Sequence, residues 1–135
     1  MTVIRAAECR RTETPNAIMT TLASPGQGSA GLPIWRVDMA PERSGPLHGI
    51  DAEQVWTVLE GSATVVLGTG TIEAGVGDTL VLPPDVPRRI TAGVHGMSAI
   101  VVAPAGMRAY PLDGTIPAVT CAVPDGDKLI PAWTV

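Results

Sequence analysis

Residues 77–92 read GDTLVLPPDVPRRITA, and this stretch decides the fold. Thr79–Pro83 is a short β-branched run, Pro83 and Pro84 stop it, and Arg88–Ala92 resumes with alternating side chains. Proline lacks a ladder donor and fixes φ, so a strand, a turn and a second strand are the economical reading. The same grammar holds outward in both directions. IWRVDMA (34–40), QVWTVLE (54–60), ATVVLG (63–68) and SAIVVA (98–103) read as strands. Gly68-Thr69-Gly70 and Gly93–Gly96 are predicted hairpin turns, and Thr20–Leu22 and Thr71–Glu73 are further short strands. No segment sustains the apolar spacing of a helix over ten residues. Many short strands at this interval predict an all-β sandwich or barrel.

The bulk numbers bound the rest. A chain of 135 residues with 45% hydrophobic and 16% charged residues is one globular domain. A formal net charge of −4, with Lys128 the only lysine, argues against partners that need a basic face, so neither nucleic acid nor an acidic membrane surface is expected. No apolar run is long enough to span a bilayer, and MTVIRAAECRRTE lacks a signal-peptide core, so a cytoplasmic location is expected. Cys9 and Cys121 are then most simply reduced. Strands concentrate between about 35 and 105. Residues 1–30 and the Pro-rich 104–135 therefore read as extended arms of a single domain spanning 1–135, able to pack along a barrel or onto a partner chain. Leu129, Ile130 and Trp133 give the last segment something to bury. There is no P-loop, no GxGxxG followed by a helix, no CxxC, and no serine in the strand–turn–helix context of a nucleophile elbow.

With these strands in place, two motifs resemble those of small single-domain bacterial cupins, the RmlC-like jelly-roll superfamily. The first motif, G-x5-H-x-H-x3–4-E-x6-G, falls on Glu42, His48, Ile50, Gln54 and Gly61; the second, G-x5-P-x-G-x2-H-x3-N, on Gly77, Pro83, Asp85, Arg88 and Ala92. The resemblance covers about 35–105 and implies a cupin-type jelly-roll barrel, commonly a homodimer. It also implies that His48, Gln54 and Arg88 converge inside the barrel mouth.

Positions that shape the barrel survive, whereas the ligand positions are mostly replaced. Ile50 offers no lone pair and a guanidinium at 88 cannot coordinate. A divalent Zn, Mn, Fe or Ni would have only His48 and Gln54; the nearby Asp51 and Glu53 could add to the count, but parity and loop position disfavour them, so no cofactor is expected.

Strand parity puts Gln54, Trp56 and Val58 on one face, and Arg88 with Ile90 on another, with Arg89 opposite. His48 is the natural acid or base. Arg88 either pairs with an interior carboxylate such as Asp38 or Glu73, or offers its fork to an anion. Trp56 and Trp35, with Ile50 and Ile90, are candidate walls for a ligand, the tryptophans being equally at home in the core. His95 is expected to be exposed.

Three functions follow. One is a metal-independent isomerase, cyclase or lyase acting on a small anionic or enolisable metabolite, with His48, Gln54 and Arg88 catalytic. The others are a non-catalytic small-molecule-binding cupin, and a metal-dependent dioxygenase or lyase using His48 and Gln54.

Overall fold

The computed structural model describes residues 1–28, 31–112, 123–125 and 128–135. Among these the protein is all-β, with three short 3₁₀ turns, and no helix is long and apolar enough to cross a membrane. Its strands are β1 (Arg10–Glu13), β2 (Ile18–Ala23), β3 (Ile34–Met39), β4 (His48–Ile50), β5 (Gln54–Leu67), β6 (Gly70–Gly75), β7 (Thr79–Leu82), β8 (Arg88–Val102), β9 (Ala109–Pro111), β10 (Val123–Asp125) and β11 (Lys128–Ile130). All pairings are antiparallel.

Strand β8 is the spine. Its C-terminal half lies between β3 and β5, pairing Trp35 with Val101 and Val101 with Trp56. Its N-terminal half pairs with β5 on one side, as Val65 with Ile90, and meets β4 on the other through His48 and Arg88. Strands β6 and β7 both pair with β5, filling opposite ends of it.

Two turns expected from the sequence are not turns. Gly93–Gly96 lies inside the 15-residue β8, and the predicted break before Ala63 lies inside the 14-residue β5. The glycines bend these strands instead of ending them. The β5–β8 ladder slips register between Val58 and Glu60 and again between Gly61 and Ala63. Gly61 (φ +69°) and Gly96 (φ +79°) hold left-handed conformations at that bend, as bulges require. A Cβ on Gly61 would sit 2.0 Å from the Gly96 carbonyl oxygen. Gly68-Thr69 does form the expected hairpin turn, closing β5 onto β6.

The core is the concave face of β3, β5 and β8, where burial alternates strictly along β3. Its residues stack in cross-strand rows. Trp35, Val101 and Trp56 form one row; Val37, Ala99 and Val58 the next. Each row sets a smaller residue on β8 between larger ones, which is how a curled sheet fills its interior. Full burial of each large apolar side chain stabilises the fold by about 1.5–3 kcal/mol. The outward rows are polar: Arg36 pairs with Asp38 at 3.0 Å, and Ser98 donates to Asp38 at 2.5 Å.

The arms are built into the barrel. β1 and β2 form a hairpin that extends the sheet beyond β3. At the other end β9 pairs with β4, β11 with β9, and β10 with β11. The last residues return to the N-terminal hairpin, where Thr21 donates to the Trp133 carbonyl and Ser24 to that of Val135, both at 2.8 Å. Arg10 also donates to Val135. Thr21 and Ser24 are fully buried, so these bonds are dry and costly to break. Cys9 is a half-buried free thiol; Cys121 lies outside the described residues. His95 is exposed on β8.

Candidate functional site

The concave face and the two arms enclose a cavity of about 170 Å³. Trp35, Val37 and Met39 of β3, His48 and Ile50 of β4, Gln54 and Trp56 of β5, and Ile90 of β8 form its wall. The arms supply the closure. Thr14–Ala17, the turn between β1 and β2, stands at one part of the rim with Met19; Met107, Ala109, Tyr110, Leu129 and Trp133 stand at others. The lining is overwhelmingly apolar, and its few polar groups are the ones able to orient a ligand.

His48 is half-buried in β4, and its Nδ1 lies 2.8 Å from the Pro46 carbonyl oxygen. A carbonyl only accepts, so Nδ1 carries a proton toward it; in the neutral form of the ring the lone pair then lies on Nε2. Beside it, Gly49 has a positional reason to be glycine: a Cβ there would lie 2.2 Å from Tyr110 Cζ. The bare backbone of β4 lets the tyrosine ring lie across it. The Tyr110 hydroxyl then donates to Asp85 at 2.9 Å, and the Lys128 ammonium sits 5.1 Å from the ring centroid. Burial raises the Tyr110 phenol above its ordinary value, and the bond to Asp85 raises it further.

Gln54 is buried with both ends of its amide assigned. Its Oε1 accepts from Trp56 Nε1 at 3.3 Å and from Arg88 at 3.4 Å, and its Nε2 faces Met107 Sδ at 3.4 Å. Trp56 lies two residues along the same face, as strand parity predicts.

Arg88 departs from expectation. It faces inward with Ile90, and Arg89 points out to solvent, but Arg88 does not line the cavity. It is fully buried behind Gln54, donating to the Pro83 carbonyl at 2.6 Å and the Val86 carbonyl at 3.3 Å. Neither Asp38, which serves Arg36 and Ser98, nor exposed Glu73 is its partner. Burial pulls the guanidinium below its ordinary value, opposed by nearby Tyr110 and Asp85. The fork expected to clamp an anion instead fastens the 83–86 loop to the barrel.

That loop also explains one replaced glycine. Asp85 has φ +60° and Glu42 has φ +62°, and these are the two positions where a motif glycine is replaced. The left-handed backbone is retained without it. Asp85 belongs to the residue types that tolerate this region best, and its N–H bonds the Ile50 carbonyl at 2.8 Å.

The residues at the ligand positions do not fit a divalent metal. Ile50 is apolar, Arg88 brings a fixed positive charge against Gln54, and the Gln54 oxygen already accepts from two N–H donors. Asp51, the nearest reinforcement, is held by Arg108 through its main-chain N–H at 2.6 Å and its Nε at 2.9 Å. Glu53 is exposed. Among the described residues no group of three His, Cys, Asp or Glu side chains converges.

Tyr110 and Trp133 were not among the sequence-derived site residues. The apolar tail 129–133 was a signal for Trp133, and Gly49 beside His48 is one for Tyr110 that the sequence reading did not use. Trp35, Trp56, Ile50 and Ile90, named from the sequence, all line the cavity.

Comparison with known proteins places this geometry. No sequence match was found among curated proteins. The polyketide cyclase RemF from Streptomyces resistomycificus has the same fold (TM-score 0.69, 21% identity, covering 94% of this chain and 89% of that one). An RmlC-like cupin from Shewanella frigidimarina superposes with a TM-score of 0.66 at 16% identity, over 77% of this chain and 90% of that one. Oxalate decarboxylase from Bacillus subtilis matches at TM-score 0.68 and 17% identity over 75% of this chain. The chain spans only 28% of that enzyme's length. A family profile, the cupin domain, matches residues 35–103, just over half of the sequence and the same span that carries both motifs. The chain belongs to the cupin family.

Proposed function

We propose that this protein binds a small, largely apolar, carbonyl-bearing metabolite in the barrel and catalyses proton transfer on it without a metal, as an isomerase, cyclase or lyase does. The observation that supports this reading is the cavity itself: an apolar wall and closure into which one imidazole is set, its Nδ1 turned to the Pro46 carbonyl. The geometry moves the ligand class away from the anion anticipated from Arg88, because that charge lies behind Gln54 and not on the wall. A polyketide is one member of the chemical class that fits, and RemF lends precedent for such a ligand in a barrel of this kind.

In this reading His48 Nε2 takes a proton from the carbon next to the carbonyl. The electrons of that C–H bond move into a carbon–carbon double bond, and the carbonyl oxygen becomes an enolate. The Gln54 amide, whose present acceptor is only a thioether, turns an N–H toward that oxygen. Returning the proton from Nε2 to a different carbon completes an isomerisation. General acid–base assistance of this type is worth about 10²–10⁴-fold.

The test uses 1-tetralone, a small bicyclic ketone, and follows exchange of its α-protons in D₂O by NMR. The wild-type protein is expected to accelerate exchange, and His48→Gln to lose at least about 10²-fold of that acceleration with unchanged ketone binding and melting temperature. An unchanged rate in His48→Gln refutes the role of His48. Ketone binding with no accelerated exchange in the wild type turns the reading to a non-catalytic binding cupin, which the apolar lining also favours.

A further inference from the structure

Arg88 is fully buried, and the hydrogen-bond partners of its guanidinium are all neutral: the Pro83 and Val86 carbonyls and the Gln54 side-chain oxygen. Asp85 attracts the charge, yet among the described residues no ion pair joins the two. A buried charge without a contacting counter-charge is costly, and fastening a loop does not require one. Nε and Nη2 serve the 83–86 loop, whereas Nη1 reaches Gln54, a residue of the cavity wall.

What that third bond does follows from donor chemistry. Guanidinium and indole N–H groups only donate. Arg88 Nη1, at 3.4 Å, and Trp56 Nε1, at 3.3 Å, converge on one terminal atom of the Gln54 side chain, so that atom must be the oxygen. A flipped amide would set donor against donor at both bonds. The amide nitrogen is thereby turned to Met107 Sδ, at 3.4 Å. Gln54 and Met107 line the cavity and Arg88 does not, so the amide links the buried charge to the cavity. A thioether is a weak acceptor, and a ligand oxygen is a better one for the same N–H group.

We propose that Arg88 is a positioning residue for the proton transfer: it holds the Gln54 amide with its N–H groups on the cavity side and, through that amide, lends its charge to the enolate oxygen as it forms. The inference deepens the proposed function and rests on it. A neutral ketone gains little from a charge behind the wall, whereas an enolate gains much. The effect therefore belongs to the rate and not to the affinity. A clamp on the ligand itself would change the affinity as well, and a residue that only fastened the loop would change neither.

The test measures 1-tetralone affinity by calorimetry and α-proton exchange at saturating ketone in D₂O by NMR, on the full chain and below each variant's melting range. Arg88→Met is expected to slow exchange by at least about tenfold while affinity stays within about threefold. In a Gln54→Leu background the same substitution should remove no more than about twofold further, because the charge then has no amide to act through. Gln54→Glu keeps an acceptor for Arg88 and Trp56 but carries no N–H, and should slow exchange by at least about 10²-fold. This variant decides the matter where Arg88→Met folds poorly. Unchanged exchange in Arg88→Met, an equal loss in both backgrounds, or wild-type exchange in Gln54→Glu each overturns the proposal. Any of these leaves the proposed function standing while His48→Gln still loses the acceleration; no accelerated exchange in the wild type defeats both.

Discussion

The wall of the cavity and its closure are built by different means. The wall is the shared face of β3, β5 and β8, where burial alternates along β3 and along both ends of β5, and long ladders fix the strands. The closure is made of short strands, turns and the chain end, tied down by single hydrogen bonds such as Thr21 to Trp133 and by the ion pair of Asp51 with Arg108. Apolar burial holds the wall, and directional polar contacts hold the closure. Stability and barrel shape should therefore answer to wall mutations, whereas recognition should answer to the closure and to His48 at the seam between them.

The largest break in this contrast is expected at Gly61. Its φ of +69° disfavours any side chain, and a Cβ would lie 2.0 Å from main-chain oxygen of Gly96. Backbone cannot yield as a flexible side chain does, so Gly61→Ala should cost more than about 3 kcal/mol in urea unfolding. A loss below about 1 kcal/mol would mean that the bend between β5 and β8 relaxes freely, and that the wall is not the rigid part.

A smaller but sharper effect is expected at Arg88. Arg88→Met keeps most of the volume and removes the donors to Pro83, Val86 and Gln54. Two loop carbonyls and an amide oxygen are left short of partners, for a loss of about 2 kcal/mol. Affinity for 1-tetralone should change by no more than about threefold, because the guanidinium does not line the cavity. The opposite pattern, intact stability with lost affinity, would return Arg88 to the role of a ligand clamp.

What the sequence disclosed follows the same division. Strand parity placed Gln54, Trp56 and Val58 together and sent Arg89 outward, because alternation is a local property of a half-buried strand. Parity could not say how far along the interior Arg88 reaches, and there the reading failed. The guanidinium satisfies itself on carbonyls of its own preceding loop, a contact set by the turn at Asp85. Gly93–Gly96 misled for a related reason: glycine marks a left-handed backbone but does not distinguish a hairpin from a bulge. Trp133 was legible only as something to bury. Its place at the cavity depends on pairing across more than a hundred residues, from Thr21 to the chain end, and such pairing leaves no periodic trace. The replaced motif glycines show the converse: Glu42 and Asp85 look like lost signals, yet the backbone conformation they stood for is intact.

The smallest expected effect tests the tie between wall and closure by pH. Burial alone would push the Asp51 carboxyl up, but the main-chain N–H and guanidinium of Arg108, with Lys128 more weakly, outweigh it and hold the group below its ordinary 3.8. A carboxyl depressed in the folded state adds stability that is fully present above its unfolded value. That stability is lost as pH falls through the folded value. Asp51→Asn should therefore be destabilised at pH 7 by about 1 kcal/mol, a modest figure because the Arg108 side chain is 38% exposed and solvent screens the pair. The gap between variant and wild type should hold from pH 7 to about pH 5 and shrink steadily below 3.8. Thermal melts across that range provide the measurement. A gap that stays constant down to pH 2, or widens there, would mean that the Asp51 charge contributes nothing to holding Arg108 and that shape alone joins the closure to the wall.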